Sequence, residues 1–396
     1  MKKIIEFIIE QFMRLSALIS SITIVLIVIF LFKEGWSLFD NSAVEKGYVM
    51  AVHPSNSILK LSSEELKKIF DQEVTNWRQL GGRNDSIILF RTEDILNYYS
   101  EEEIGSEMEH LGEKINDLVA KTPGIIAFFP QQYVVKKFKG RILPAKNITL
   151  TAFLTGKEWF PTAQPAAQLG AWPLILGTLW VSLTAILLAL PLGLAAAIYM
   201  AEIAPTRTRN IMKPVIELLA GIPSVVYGFF GLMVIVPLLK NTFGLDSGQS
   251  GLAGGILLAI MALPTIITVS EDALRNTPKV MREASLGLGA TKWQTICRVV
   301  IPYSSSGITA AAILGIGRAM GETMAVLMVT GNAAVVPHSL LQPLRTIPAT
   351  IAAELGEAPQ GGLHYQALFA LGCILFMITL TANLLAGYIT KKNKVQ

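Results

Sequence analysis

The chain is 396 residues long, 52% hydrophobic and only 16% charged, well under the roughly 25% charged of ordinary soluble domains. Its formal net charge of +4 is too small for a nucleic-acid-binding surface, and no basic tract with interleaved aromatics occurs. Cys297 and Cys373 have no disulfide partner pattern, and no metal-ligand spacing exists, so the composition points to a membrane protein without metal or cofactor.

Several stretches exceed the roughly 18 apolar residues that can cross a bilayer. The first, 15–32, follows an amphipathic start, M-K-K-I-I-E-F-I-I-E, and no small-residue cleavage site precedes the next polar stretch. It reads as an uncleaved membrane helix, so 1–40 is an amphipathic segment plus span one. Roughly half of all charged residues then fall between Glu45 and Lys146. Within 41–150, V-M-A-V, S-I-I-L-F and G-I-I-A-F-F read as short strands, and S-S-E-E-L-K-K-I-F as a helix with a Ser start and acids in its first turn. This predicts an inserted α/β domain, joined by a linker at 151–171 to a helical core at 172–396. The core supplies further spans at 173–201, 215–239, 252–269, 304–329 and 364–389, making six in all.

Loop charge orients these spans. Lys2, Lys3 and Arg14 precede span one, and Arg207, Arg209 and Lys213 join spans two and three. Arg275, Lys279, Arg282, Lys292 and Arg298 join spans four and five, and Lys391, Lys392 and Lys394 close the chain. An even number of spans puts all of them on one face, which the positive-inside rule makes cytoplasmic. Both termini are then cytoplasmic and the inserted domain lies on the opposite side.

The loop between spans four and five, 283–302, reads E-A-S-L-G-L-G-A-T-K-W-Q-T-I-C-R-V-V-I-P. Glu283, Ala284 and small Ser285 can open a short helix, and Gly289 lets the chain turn without a side-chain clash. A second helix carries Lys292, Trp293, Ile296 and Arg298 until Pro302 forces an exit. A short helix with one apolar side can drop into a groove on a partner; the plainer reading is an ordinary connecting loop.

Span five contains G-I-G-R-A-M-G-E-T-M, with Arg318 and Glu322 in an otherwise apolar stretch. Their i,i+4 spacing predicts one face and a mutual ion pair. A charge in hydrocarbon costs at least about 2.5–3.5 kcal/mol, which argues for function. The Arg fork suits a tetrahedral oxyanion, with the Glu holding it ready. Gly315, Gly317 and Gly321 would permit close approach of helices or substrate. A structural ion pair, or one near the outer interface, remains the alternative. Span three carries Glu217 and Pro223, secondary pathway candidates, since Pro223 should kink the helix and free a carbonyl. Pro191 and Pro264 rank with Pro223, and kinks that merely fit packing are as common. Glu202, Glu271 and Asp272 are expected at the interface, and His338 and His364 are expected to be structural.

The 283–302 loop resembles the EAA loop of ABC-importer permeases. Together with G-R-A-M-G-E-T-M-A-V and E-L-L-A-G-I-P-S-V-V-Y-G, it resembles the PstC-type permeases of phosphate-specific ABC importers, over 171–392 plus the leading span. The resemblance implies an all-α polytopic membrane protein with the type I importer permease fold, interrupted here by the inserted segment. It also implies inorganic phosphate as cargo, a second, PstA-like permease as heterodimer partner, two ATP-binding subunits and an external phosphate-binding protein. The 283–302 loop, with Glu283, Ala284, Gly289, Trp293 and Pro302, would then meet the ATPase. No G-x-x-x-x-G-K-[ST] occurs, since Gly156-Lys157 is followed by Glu, so ATP hydrolysis falls to other chains and this one is not an enzyme. Rival readings are a permease for another oxyanion, molybdate or sulfate, and a membrane scaffold that senses phosphate without transporting it.

Within the inserted segment, L-S-S-E-E-L-K-K-I-F-D-Q-E-V-T-N-W-R-Q-L-G-G and K-T-P-G-I-I-A-F-F resemble one lobe of PstS-type phosphate-binding proteins. The resemblance implies an Arg followed shortly by Ser-Gly-Thr at the anion site. Here Arg91 is followed by T-E-D-I-L-N-Y-Y, and Glu93 and Asp94 would repel an anion. A non-binding lobe that docks the binding protein or caps the outer gate is expected; an insertion without a role, or retained phosphate sensing, are the alternatives.

Overall fold

The computed structural model describes residues 2–44, 47–105 and 108–393. Glu45, at the start of the charge-rich stretch, and Lys394 of the closing basic cluster lie outside the described residues. The chain divides into two compact units, Met1–Gly170 with Ala358–Ala370, and Ala171–Glu357 with Leu371–Gln396.

The first unit opens with α1 (Lys2–Trp36), an apolar helix in which the Ser21 and Thr23 hydroxyls donate back to the carbonyls of Ala17 and Ile19. Strands β1 (Tyr48–Val52), β2 (Ile88–Arg91), β3 (Ile125–Pro130) and β4 (Arg141–Ile142) form one sheet in the order β2-β3-β1-β4. β2 runs parallel to β3, while β1 is antiparallel to both β3 and β4. Ile125 to Phe129 are all buried, as a strand covered on both faces requires. Around the sheet lie α2 (Ser63–Phe70), α3 (Glu101–Ile104) and α4 (Leu111–Lys121). α4 lays Leu111, Ile115, Leu118 and Val119 against Phe90 and Phe129. α2 starts from a capping box: the Glu65 N–H donates to Ser62 Oγ at 3.3 Å and the Ser62 N–H donates to Glu65 Oε2 at 2.7 Å. Partial burial pushes the Glu65 carboxyl up, but its bonds from Ser62 and the charge of Lys146 outweigh that and hold it below its ordinary 4.5. The segment expected as a linker is itself structured, with α5 (Leu150–Thr155) and a ribbon of β5 (Trp159–Phe160) and β6 (Gln168–Leu169). Phe153 packs edge-on against Trp159 there.

The second unit is helical. α6 (Trp172–Ile198) runs into a π-turn at Tyr199–Ile203, then α7 (Thr206–Ala220) and α8 (Ser224–Phe230) follow. A π-turn at Gly231–Ile235 joins α8 to α9 (Val236–Phe243), and α10 (Gly251–Arg275) forms the centre of the bundle against α6. Next come α11 (Lys279–Gly287), α12 (Lys292–Thr295), a third π-turn at Ile296–Val300 and α13 (Ile301–Tyr303). α14 (Ser305–Gly321) packs on α10 and α6, followed by α15 (Met324–Val329), α16 (Ile347–Glu354) and the terminal α17 (Leu363–Asn393).

Among the described residues five helices are long and apolar enough to cross a membrane: Ile5–Asp40, Trp172–Ile203, Ser224–Phe243, Gly251–Arg275 and Leu363–Tyr388. A sixth arises if Lys292–Tyr303 and Ser305–Gly321, bent by 69°, count as one span. Two expected spans differ in extent. The third begins at Ser224 and not near 215, because α7 is a separate helix with Ile216 as its buried residue, and the chain breaks before Pro223, which disfavours helix in the residue before it. The fifth stops at Gly321 and not at 329, since Glu322 is extended (φ −71°, ψ 133°).

Candidate functional site

Arg318 is held by the packing of its own helix. Ala311, Gly315 and Ala319 recur every fourth residue and are buried, so α14 presents a small-residue stripe to its neighbours. A Cβ at position 315 would lie 2.9 Å from Ile266 Cδ1, so any larger residue there obliges the Ile266 side chain to shift. Gly317 and Gly321, expected to serve the same purpose, face open space in this chain. Arg318 sits at the edge of the stripe, half-buried, and its Nη1 donates to Thr265 Oγ1 on α10 at 3.4 Å. Thr265 follows Pro264, which lies inside α10.

The expected Arg318–Glu322 ion pair does not form: no such pair occurs among the described residues. The i,i+4 spacing joins two charges only along an unbroken helix, and α14 ends between them. The Glu322 carboxylate turns instead to the start of α15, accepting from the Ala325 N–H at 3.5 Å. It also lines a narrow crevice with Thr178, Ser182, Leu258, Met320 and Thr346. Thr178 Oγ1 donates to Leu174 O at 2.7 Å and accepts from the Ile347 N–H at 2.9 Å. Thr346 Oγ1 is buried with no hydrogen-bond partner among the described residues. These hydroxyls escape sequence reasoning, because each is a single polar residue in an apolar run; only their convergence marks them.

Glu217 and Pro223 are not brought to this crevice. Glu217 is exposed on α7. Pro223 is the N-cap of α8 and not a mid-helix kink. At the break the Leu219 carbonyl accepts both from the Ile222 N–H at 3.3 Å and from Tyr227 Oη at 2.8 Å.

The loop residues lie on three short helices. Glu283 and Ala284 fall in the middle of α11, which already begins at Lys279. Gly289 has φ +87° and open space around it, the left-handed turn residue its position demands. Thr291 and Gln294 form the capping box that starts α12. Trp293 is 61% and Leu288 90% exposed, an apolar surface that none of the described residues covers. Pro302 is inside α13, and the bend comes just beyond, at Ser304.

Below this loop lie the acids expected at the interface, and two of them are buried in ion pairs. Glu271, fully buried, accepts from Arg209 Nε at 3.0 Å, with Lys213 Nζ at 3.5 Å and Arg275 Nη1 at 3.7 Å. Burial works against the charge of Lys213, but Glu271 and Asp272 outweigh it and hold its pKa above the ordinary 10.5. Glu202 pairs with Arg282 at 2.7 Å. A carboxylate taken this far from water persists only when paired, which sequence position alone does not reveal.

The arrangement is that of a membrane bundle with a half-buried arginine, Arg318, that has no carboxylate partner among the described residues, a narrow crevice beside Glu322 and an exposed, helix-borne loop. The family described as binding-protein-dependent transport system inner membrane component matches residues 189–395. A probable ABC transporter permease protein, YqgH of Bacillus subtilis, is 42% identical over 243 residues, covering 61% of this chain and 78% of that protein. The phosphate transport system permease proteins PstC of Mesorhizobium japonicum and Pasteurella multocida are 41% and 38% identical, covering 60% and 58% of this chain and 77% and 76% of theirs. Among solved structures, an inward-facing MetNI methionine ABC transporter is 16% identical, with TM-score 0.45 over 56% of this chain and 96% of that one. The chain belongs to the family of binding-protein-dependent transport system inner membrane components and, within it, to the PstC-type permeases.

Proposed function

We propose that this chain forms part of the translocation pathway of an ATP-driven inorganic phosphate importer, with Arg318 meeting the anion. The observation that carries the reading is a half-buried guanidinium in a membrane helix, free of any carboxylate partner among the described residues, in a chain whose relatives include phosphate transport permeases. With no acid neutralising it, the cation is available to an oxyanion. Glu322, which borders the crevice with Thr178, Ser182 and Thr346, is a secondary contact in this reading. Glu217 and Pro223 have a weaker claim, since neither lies at the crevice.

The partners in this reading are a second, PstA-like permease, two ATP-binding subunits that receive the exposed 283–302 loop, and an external phosphate-binding protein. Basic loops place both termini in the cytoplasm of a multi-pass inner membrane protein. The sheet-bearing segment at 41–150 is then extracytoplasmic and serves as a docking lobe without an anion site of its own. In support, the Arg91 N–H already donates to Asp94 Oδ2 at 2.8 Å, so this backbone donor is taken and a carboxylate stands beside the arginine where an anion would have to sit.

Reconstitution of the complete transporter tests the pathway. Arg318→Gln should lower phosphate uptake by about 100-fold or more, as expected when a charge-assisted contact is lost, while the complex still assembles. Uptake within a fewfold of the unaltered transporter removes Arg318 from the pathway.

A further inference from the structure

The cytoplasmic ends of the spans meet at one side chain. Arg282, on α11, donates from Nη1 to Thr277 O at 2.6 Å and from Nη2 to both Leu274 O at 2.9 Å and Glu202 Oε1 at 2.7 Å. Leu274 and Thr277 mark the C-terminal end of α10, where carbonyls have no helical partner. Glu202 belongs to the π-turn that ends α6. Thr277 continues the linkage through its own hydroxyl, 3.0 Å from Ser304 Oγ, and Ser304 in turn donates to Ala273 O at 2.9 Å. Ser304 is the residue at which α13 bends into α14. A second tie, Ser285 Oγ to Thr295 Oγ1 at 2.9 Å, fastens α11 to α12.

These bonds are not of the solvated kind that contributes little. The Arg282 and Glu202 side chains retain only 20% and 10% of their exposure, and Leu274 and Thr277 are buried. A planar fork fixes the directions of its bonds to the two carbonyls and the carboxylate, whereas an ammonium is a point charge on a flexible stem and does not hold that geometry. The cation also faces the negative end of the α10 dipole.

We propose that Arg282 is the positioning residue that transmits movement of α11 to the ends of α6, α10 and α14, with Glu202 keeping its fork aimed at the α10 carbonyls. Movement imposed on the exposed loop by an ATP-hydrolysing partner then reaches three helices together as a rigid joint. The inference rests on membership of the permease family and not on phosphate as the cargo.

The test uses the complete transporter in proteoliposomes, with Cys297 and Cys373 changed to Ser and a reporter Leu314→Cys on the exposed side of α14. Two quantities are read: ATP hydrolysis, and the change in thiol-labelling rate at the reporter when the ATP-bound state is trapped with vanadate. No anion cargo enters either reading, so the outcome is independent of what is transported. Arg282→Lys should leave hydrolysis within about twofold, while the labelling change shrinks by about fivefold or more, as expected for a fork replaced by a point charge. Glu202→Gln, which keeps the shape of the site, should shrink it by a smaller factor. Exchanging the two residues, Glu202→Arg with Arg282→Glu, restores the ion pair but not the carbonyl bonds, and should not rescue. Rescue by the exchange, an undiminished labelling change in Arg282→Lys, or parallel loss of hydrolysis, labelling change and assembly each overturns the proposal.

Discussion

At the scale of single residues, spacing along a helix predicts partnership only as far as the helix holds. Arg318 and Glu322 illustrate this: their identities and their place in an apolar stretch are plain from the sequence, but their separation by a helix end is not. Gly321 and the extended Glu322 end α14 where hydrophobic periodicity alone continues to 329. The consequence is chemical, because an arginine without its acid has an unspent charge. Thr346 gives a complementary case, a hydroxyl buried with no partner among the described residues beside the Glu322 carboxylate. Leaving a buried hydroxyl unmatched is costly and replacing it with a methyl is close to neutral. Thr346→Val should therefore shift stability by no more than about 0.5 kcal/mol, read as the melting temperature of the detergent-solubilised complex. If the crevice serves the anion, uptake should fall several-fold in the same variant; unchanged uptake would make Thr346 a bystander.

At the scale of elements, the sequence conveys which stretches are helical better than where they end. α6, α10 and α17 follow from long apolar runs, and the left-handed turn at Gly289 follows from its place after a short helix. The division of the third stretch into α7 and α8 does not follow, because apolar content continues through Gly221–Pro223 while the backbone does not. The buried pairs Glu271–Arg209 and Glu202–Arg282 were equally illegible: each joins residues 62 or 80 positions apart, a separation no local pattern encodes. Packing of α14 on α10 yields a sharper expectation. Because a Cβ at 315 already meets Ile266 at 2.9 Å, Gly315→Leu should destabilise the bundle by about 1–3 kcal/mol through overpacking. A lowered melting temperature of the solubilised complex checks this, and an unchanged value would mean that α14 slides freely on α10.

At the scale of the whole molecule, composition and loop charge alone convey a polytopic membrane protein with one polar segment, since both depend on sums over many residues and tolerate local error. The order of the four strands does not follow from them: placing β3 between β2 and β1 needs partners 80 and 37 residues apart, as in Val49 opposite Phe129 beside Leu89 opposite Ile126. The function of that segment is testable as a unit. Removing 48–146 from the transporter should lower binding-protein-dependent phosphate uptake by about tenfold, as expected for a lost docking contact, while the permease still assembles with its ATPase. Full uptake after removal would leave the segment without a docking role.

The three π-turns among the described residues, at Tyr199–Ile203, Gly231–Ile235 and Ile296–Val300, bear on how this chain can shorten. Each wide turn holds one residue more than an α-helix of the same rise requires. Elsewhere in a span, losing one residue rotates everything beyond it by about 100° and turns buried faces outward. At a π-turn the loss merely tightens the coil to ordinary α geometry, and both flanks keep their facing. Single-residue deletions therefore have three places among the described residues of the bundle where they can be absorbed, and one of them, Tyr199–Ile203, carries the Glu202 that holds Arg282.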